Sequence, residues 1–544
     1  MARTLFCLKA MTFIVIVAFS AFPASPSEAK PLYAQAVFDQ FYQQRDGEPL
    51  WIRGKRLNSA GKKLYGVLQE SWMHGFNPDL YYVSEIRAIL DNRNDPDVTS
   101  ALRLEVLLTS GYMRYVQDLS GMRVNASDLD LRQEDWLQRI PAQEALALLP
   151  DDLDDIDDFL ETRAPQTHTY QRLKQELTTL VEDQDGRAAH DAPIRISRTI
   201  YPGQEAKSIL AIRQRLDVAE GLPENQYVYD APLVAAVKEF QTQKGLDADG
   251  IIGTQTVFAF NHGKVDKIRQ IILNMERLRW IPDAKPDRFI VVNIPSARLW
   301  AIEDGAVAFS MPVVVGRKKR KTLSFITQTH GVRFNPTWTV PSTIKKEDIL
   351  PHLQENPAYL TDKGMELFDG YGRDALTLDP QSVDWENISK DQLEHLNMVQ
   401  VPGAHNPLGR IRILMPNAYN IYLHDTNEKS LFGKSNRAQS SGCVRMKDPD
   451  KVAIFTLKNR RGGGWTQDDT DALLKTGKLK DIYTDDHVPV YLLYYTVWLD
   501  ERDQVIYGQD IYDGDQALFH ALEKLDGIPI IVDNDNKMLS ASVD

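Results

Sequence analysis

FIVVNIPSARLWAIEDGAVAFSMPVVV, residues 289–315, alternates with a period of two. Residues 289–294 and 298–302 read as strands on that alternation, and 306–315 as a third. Asp304-Gly305 between them is a strong hairpin signal, because both central positions of a tight turn need a positive φ. The strand signal continues at 332–335 and 337–340, resumes at 409–415 and 420–424, and returns at 488–495 and 496–499. This part of the chain is therefore expected to be a mostly-β domain. Residues 341–400 interrupt it with helical stretches at 345–353 and 390–396 and no strand alternation, so they read as an inserted lid or cap.

Upstream, the period lengthens to that of a helix. A helix at 264–281 precedes the strands, with Ile268, Ile272 and Met275 on one face. Residues 202–262 hold three short helices: Ile209, Ile212 and Leu216 form one face, and Leu233, Ala236, Val237 and Phe240 another. Residues 30–200 are mostly helical, with Leu102, Leu104, Val106, Leu107, Tyr112 and Val116 recurring at helical spacing. Trp51, Trp72 and Trp136 read as core there. The expected class is multidomain α+β. Its boundaries are 1–29, 30–200, 202–262, 264–500 with the insert 341–400, and 501–544 for a C-terminal helix and tail.

With 544 residues, 43% apolar and 26% charged, the chain is long enough for several cores. A net charge of −13 argues against nucleic acid as a partner. The run Arg317-Lys318-Lys319-Arg320-Lys321 is the basic exception, read as a solvated hairpin tip or an anchor for an anionic polymer. Residues 1–29 have the form of a secretory signal: Arg3 and Lys9, then the apolar stretch 11–22, then Ser27-Glu28-Ala29. No other stretch is long and apolar enough for a permanent membrane span. Export to the periplasm is expected. Of two cysteines, Cys7 falls in that segment, and the exported chain keeps Cys443 alone. A lone thiol in an oxidising compartment is a liability unless its chemistry is used.

Cys443 lies in YLHDTNEKSLFGKSNRAQSSGCVRM, residues 422–446. A cysteine nucleophile needs a base or a positive charge nearby. His424 supplies the first and Arg445 the second. Gly442 admits close approach, and the amides at Gly442 and Cys443 can face an oxyanion. Asp425 can orient His424 through its side chain, and a backbone carbonyl would serve equally well. Ser342-Thr343-Ile344-Lys345 and Lys475-Thr476-Gly477 fit the short motifs of penicillin-binding serine enzymes. No Ser-x-Asn or Ser-Asp-Asn lies between them, and the second closes a helix expected at 468–474. No metal-ligand spacing or phosphate cradle is evident, so no metal and no cofactor are expected.

The window resembles the active-site motif of the L,D-transpeptidases, a histidine followed by Ser-x-Gly-Cys-x-Arg. NMERLRW (274–280), FNPTWTVP (334–341) and PGAHNPLGRIRI (402–413) extend the resemblance to the large periplasmic members. IRQRL (212–216) with YDAPLVAAVKEFQTQKGLDADGIIGTQT (229–256) resembles a peptidoglycan-binding module. The resemblance implies Cys443 as nucleophile and His424 as general acid/base. Tyr422, Ser441, Gly442 and Arg445 match substrate-side and loop positions, and Trp338 a wall of the groove. It implies peptidoglycan stem peptides and glycan as partners, with other cell-wall synthesis proteins left open. The implied reaction releases D-alanine from a tetrapeptide stem and makes 3→3 cross-links. Related acyl transfers (carboxypeptidase action, D-amino-acid exchange, lipoprotein attachment) and a non-catalytic wall-binding scaffold remain as alternatives. Ser441, Asn427 and Thr322-Leu323 depart from the family's usual His, Pro and Thr-Pro.

Overall fold

The computed structural model describes residues 35–91, 97–182, 193–218, 225–244, 246–282, 286–372, 374–460, 462–526, 531–532 and 538–539. The expected signal segment and Cys7 lie outside these residues. Two units are present: Met1–Ala284 with Tyr495–Asp544, and Lys285–Tyr494.

The first unit is built on α1 (Val98–Ser120), whose N-terminus is capped by the Asp97 carboxylate accepting from Ser100 N at 2.7 Å. The leucines and tyrosines of α1 are buried almost all round, which suits a central helix rather than a surface one. Glu105 is carried into that core and is fully buried. It survives there because Tyr42 Oη and the amides of Leu50 and Trp51 all donate to it. Trp51 is wholly buried, as expected, and its indole donates to Thr109.

α2 (His168–Glu182) belongs to the same core. Next come α3 (Ser208–Arg215), α4 (Ala231–Gln243) and α5 (Thr254–Asn261), which share a separate small core of Ile209, Ile212, Tyr229, Leu233, Val237 and Ile252. The Gln241 side chain bonds Gly250 N, Ile251 O and Asp249, fixing the turn after α4 where Gly250 takes a φ of 72°.

α6 (Lys264–Leu278) departs from expectation. The sequence grouped it with the β domain, but it packs on α2. Its polar residues explain why. Asn274 bonds Thr496, and Arg277 pairs with Asp515. Glu276, fully buried, accepts from Arg123, Arg279 and Trp280. The motif 274–280 is thus a set of buried polar ties within the first unit. The strand pair Val497–Leu499 and Val505–Tyr507 and the helix Gly514–Asp526 also lie in this unit. Residues 495–499 were expected in the β domain.

The second unit begins with the quoted strands: β1 (Arg288–Asn293), β2 (Arg298–Glu303) and β3 (Ala306–Gly316). Asp304 and Gly305 have φ of 51° and 76°, the geometry the hairpin reading requires. β4 (Phe325–Gln328) and β5 (Gly331–Phe334) follow. Then come β6 (Trp338–Thr339), just before the insert, and from the insert β7 (Met365–Asp369), β8 (Leu376–Leu378) and β9 (Leu396–Gln400). The chain returns through β10 (Ile411–Leu414), β11 (Leu423–His424), β12 (Ala438–Ser440) and β13 (Val444–Met446). It closes with α7 (Pro449–Leu457), α8 (Gln467–Lys475), β14 (Lys480–Tyr483) and β15 (Pro489–Leu493).

The main sheet runs β14-β5-β10-β11-β13-β3-β2-β1-β15-β4, with β12 alongside β3. The insert is more than helices and turns. It forms a second sheet, β8-β7-β9-β6, over its own core of Ile349, Leu353, Leu367, Trp385, Leu393 and Met398. Residues 337–340, expected in the main sheet, supply β6 to this second one. Val340 packs into the insert core, which draws the strand there.

Candidate active site

The site follows from one register. β11 and β13 run parallel, with Leu423 opposite Val444 and His424 opposite Arg445. Val444 N donates to Tyr422 O at 2.9 Å, extending the match to Tyr422 and Cys443. Side chains alternate along a strand, and register partners share a face. Leu423 and Val444 therefore enter the core, where both are fully buried. Tyr422, His424, Cys443 and Arg445 are brought together on the opposite face.

The row extends across neighbouring strands. Arg412 on β10 stands opposite His424, Arg333 on β5 opposite Arg412, and Asp481 on β14 opposite Arg333. Arg333 and Asp481 form a bidentate pair at 2.7 Å for both bonds. Arg445 pairs with Glu428. The Arg412 guanidinium lies 4.3 Å over the Tyr422 ring. Sequence reasoning missed Arg333 and Arg412. Their signal was present: each is a lone cation between apolar strand residues, Val332/Phe334 and Ile411/Ile413.

His424 is buried, and its Nδ1 lies 2.5 Å from Asp425 O. A carbonyl only accepts, so Nδ1 carries the proton and Nε2 keeps a free lone pair. Of the two orienters considered, the backbone carbonyl is the one used. The Asp425 carboxylate instead accepts from Arg410 N, Thr426 N and Lys429 Nζ, which fixes the peptide that aims the ring. Gly409 makes room: its φ is 59°, and a Cβ there would lie 2.4 Å from Asp425 Cγ. Burial, with Arg445 nearby, brings the His424 pKa down to about 4. Burial raises the Cys443 thiol, opposed by a Tyr422 backbone hydrogen bond and by Arg412 and Arg445. The Cys443 thiol donates to Asn420 O at 3.7 Å, and both shifts favour the neutral forms of thiol and imidazole.

The loop bearing Cys443 is held from two sides. The Ser440 hydroxyl donates to Cys443 O at 2.5 Å and accepts from Gly442 N at 3.2 Å. Thr322 Oγ1 donates to Gly442 O and accepts from Gly316 N. Gly442 itself has a φ of 116°. Ser441, singled out from the sequence, is exposed, and its hydroxyl lies 3.1 Å from Arg320 Nη1. Arg320 also pairs with Glu347 and Asp348 of the insert. Lys318, Lys319 and Lys321 of the basic run are exposed, as a solvated tip would be, while Arg320 is spent tying the insert to the cysteine loop. Trp338 sits half-buried on β6 in the insert sheet, against the insert core.

Lys345 removes the serine-enzyme pattern. Its ammonium is buried and donates to the carbonyls of Leu393, Glu394 and Leu396 and to the Tyr371 hydroxyl. Lys475-Thr476-Gly477 closes α8, as the sequence suggested.

Comparison with known proteins gives three segments. Residues 287–462 match the L,D-transpeptidase catalytic domain, 36–177 a scaffold domain, and 206–259 a domain described as peptidoglycan-binding. A Haemophilus influenzae protein provisionally named an L,D-transpeptidase is 34% identical over 250 residues, covering 46% of this chain and 49% of that protein. The chain thus spans about half the length of that relative. Solved L,D-transpeptidases from Mycobacterium smegmatis (11% identity, 38% of this chain and 58% of that one, TM-score 0.19) and Stackebrandtia nassauensis (13%, 54% and 94%, 0.18) align only loosely. The family resemblance read from the sequence stands.

Proposed function

We propose that this chain, whose catalytic unit belongs to the L,D-transpeptidase family, is a cysteine acyltransferase that cross-links peptidoglycan. The observation that carries the reading is the register placing His424, Cys443, Tyr422 and Arg445 on one sheet face, with the His424 ring aimed by Asp425 O.

In the first half-reaction His424 Nε2 takes the Cys443 proton as sulfur attacks the carbonyl carbon of the diaminoacid in a tetrapeptide stem. A C–S bond forms, and the carbonyl becomes an oxyanion. Gly442 N is already donated to Ser440, which leaves the Cys443 amide as the candidate oxyanion donor. The C–N bond to the terminal D-alanine breaks, and His424 returns the proton to the leaving amine. In the second half an amine of a neighbouring stem attacks the thioester. A C–N bond forms, the C–S bond breaks, and the amine proton passes through His424 to the departing Cys443 sulfur, restoring the thiol. The product is a 3→3 cross-link. Ser441, Gly442 and Trp338 enter this proposal as loop and groove-wall positions. The segment 206–259 supports peptidoglycan as the polymer engaged, and the leader-like 1–29 supports a periplasmic site of action.

Incubating the purified full chain with disaccharide tetrapeptide and weighing the products tests this. A dimer of two muropeptides less one D-alanine is expected, and none with Cys443→Ala. Loss of D-alanine without a dimer would show a carboxypeptidase. No turnover and no covalent carbapenem adduct on Cys443 would overturn the enzymatic reading.

A further inference from the structure

Three arginines face the cysteine, and they differ in what holds them. Arg333 is neutralised by Asp481 and Arg445 by Glu428. Arg412 has no such partner: among the described residues no carboxylate pairs with it, and its buried Nε has no hydrogen-bond partner. Burial and the neighbouring Arg333 both disfavour its charge. A half-buried guanidinium whose Nε is buried and unpartnered can still take a carboxylate brought by something else.

Its place in the row says which anion. Cys443 lies beside β13, His424 on the next strand β11, and Arg412 on the next, β10. Adjacent strands are about 4.8 Å apart. During acylation the scissile carbon is at sulfur and the leaving nitrogen must be at His424. A C-terminal residue carries its carboxylate two bonds beyond that nitrogen. The next position along the row is Arg412.

We propose that Arg412 docks the free C-terminal carboxylate of the donor stem, and so selects donors in which one residue follows the scissile bond. This rests on the acyltransferase reading for its substrate, but not for its test. Arg445 is a poorer candidate, since it stands two residues from Cys443 on the same chain segment and already has Glu428. The Tyr422 ring beneath Arg412 fixes the plane of the guanidinium, leaving its fork to meet a carboxylate bidentately.

The test compares alkylation of Cys443 in the full chain by iodoacetate and by neutral iodoacetamide. In both, sulfur forms a bond to the CH2 carbon and iodide leaves, so the thiolate fraction cancels in the ratio of rates. Arg412→Gln is expected to lower the iodoacetate-to-iodoacetamide ratio roughly tenfold, the scale of a lost charge-assisted hydrogen bond. Arg445→Gln is expected to change it much less. Arg412→Lys keeps the charge and should keep most of the ratio, which guards against a glutamine variant that fails to fold. A second arm uses tetrapeptide donors ending in carboxylate or carboxamide. The wild type should prefer the carboxylate roughly tenfold or more in kcat/KM, and Arg412→Gln should erase the preference. An unchanged alkylation ratio in Arg412→Gln, or a collapse in Arg445→Gln instead, overturns the proposal. Alkylation needs no cross-linking activity, so a chain that alkylates as described yet makes no dimer refutes the acyltransferase reading alone.

Discussion

Replacing Gly409 by alanine probes the aim of His424 from a residue that touches neither substrate nor sulfur. Gly409 has a φ of 59°, and an added Cβ would lie 2.4 Å from both Cγ and Oδ2 of Asp425. Two costs follow. An L-residue in the left-handed region costs about 1–2 kcal/mol. Ordinary contact needs about 3.5 Å, so the carboxylate must move by about 1 Å. That breaks at least one of its bonds to Arg410 N, Thr426 N or Lys429, at about 1.5–3 kcal/mol for a charged acceptor. The sum is about 3–5 kcal/mol, or a fall in Tm of about 10 °C for a unit of this size. The same movement shifts the Asp425 carbonyl that holds His424 Nδ1. Misplacing a catalytic group by about 1 Å costs on the order of 10²-fold in rate. Thermal unfolding and the muropeptide assay read the two effects. Wild-type Tm and turnover in Gly409→Ala would refute the claim that the Asp425 peptide is braced by its own carboxylate.

Other outcomes follow from the same geometry. Because burial raises the Cys443 thiol and brings His424 down to about 4, alkylation by iodoacetamide should climb about tenfold per pH unit from pH 6 to 8. A plateau below pH 7 would instead reveal a thiolate–imidazolium pair. Glu276→Gln strips the buried acid from Arg123 and Arg279 and should cost about 3–5 kcal/mol in denaturant unfolding of the first unit. A loss under 1 kcal/mol would mean the cluster does not hold that unit. Ser342→Ala should leave dimer formation unchanged in the muropeptide assay, since Lys345 is committed to backbone carbonyls. Loss of activity there would revive the serine-enzyme reading.

Much of the site was legible in one dimension. Cys443, His424 and Arg445 stand within a short window whose residue types already point to nucleophilic chemistry, although the β11–β13 register is what puts them on one face. The hairpin at Asp304-Gly305 was readable because left-handed backbone demands particular residues. The three helices of 202–262 were readable because their apolar faces recur locally. Period, turn chemistry and a lone thiol are properties of neighbouring residues, and these the sequence determined by itself.

The rest depended on partners far along the chain. Nothing in MELFD or LNMVQ marks the central strands of a second sheet; β7 and β9 exist because they pair with each other and cover the insert core. The helix 264–278 is amphipathic in either unit, and distant partners assign it to the first: Arg123 for Glu276, Thr496 for Asn274 and Asp515 for Arg277. Arg320 in a basic run gives no sign of Glu347, Asp348 and Ser441. Arg412 becomes distinctive only when three strands align and two other arginines are neutralised while it is not. Register and burial set those differences, and both are long-range quantities that exist only once the chain has folded.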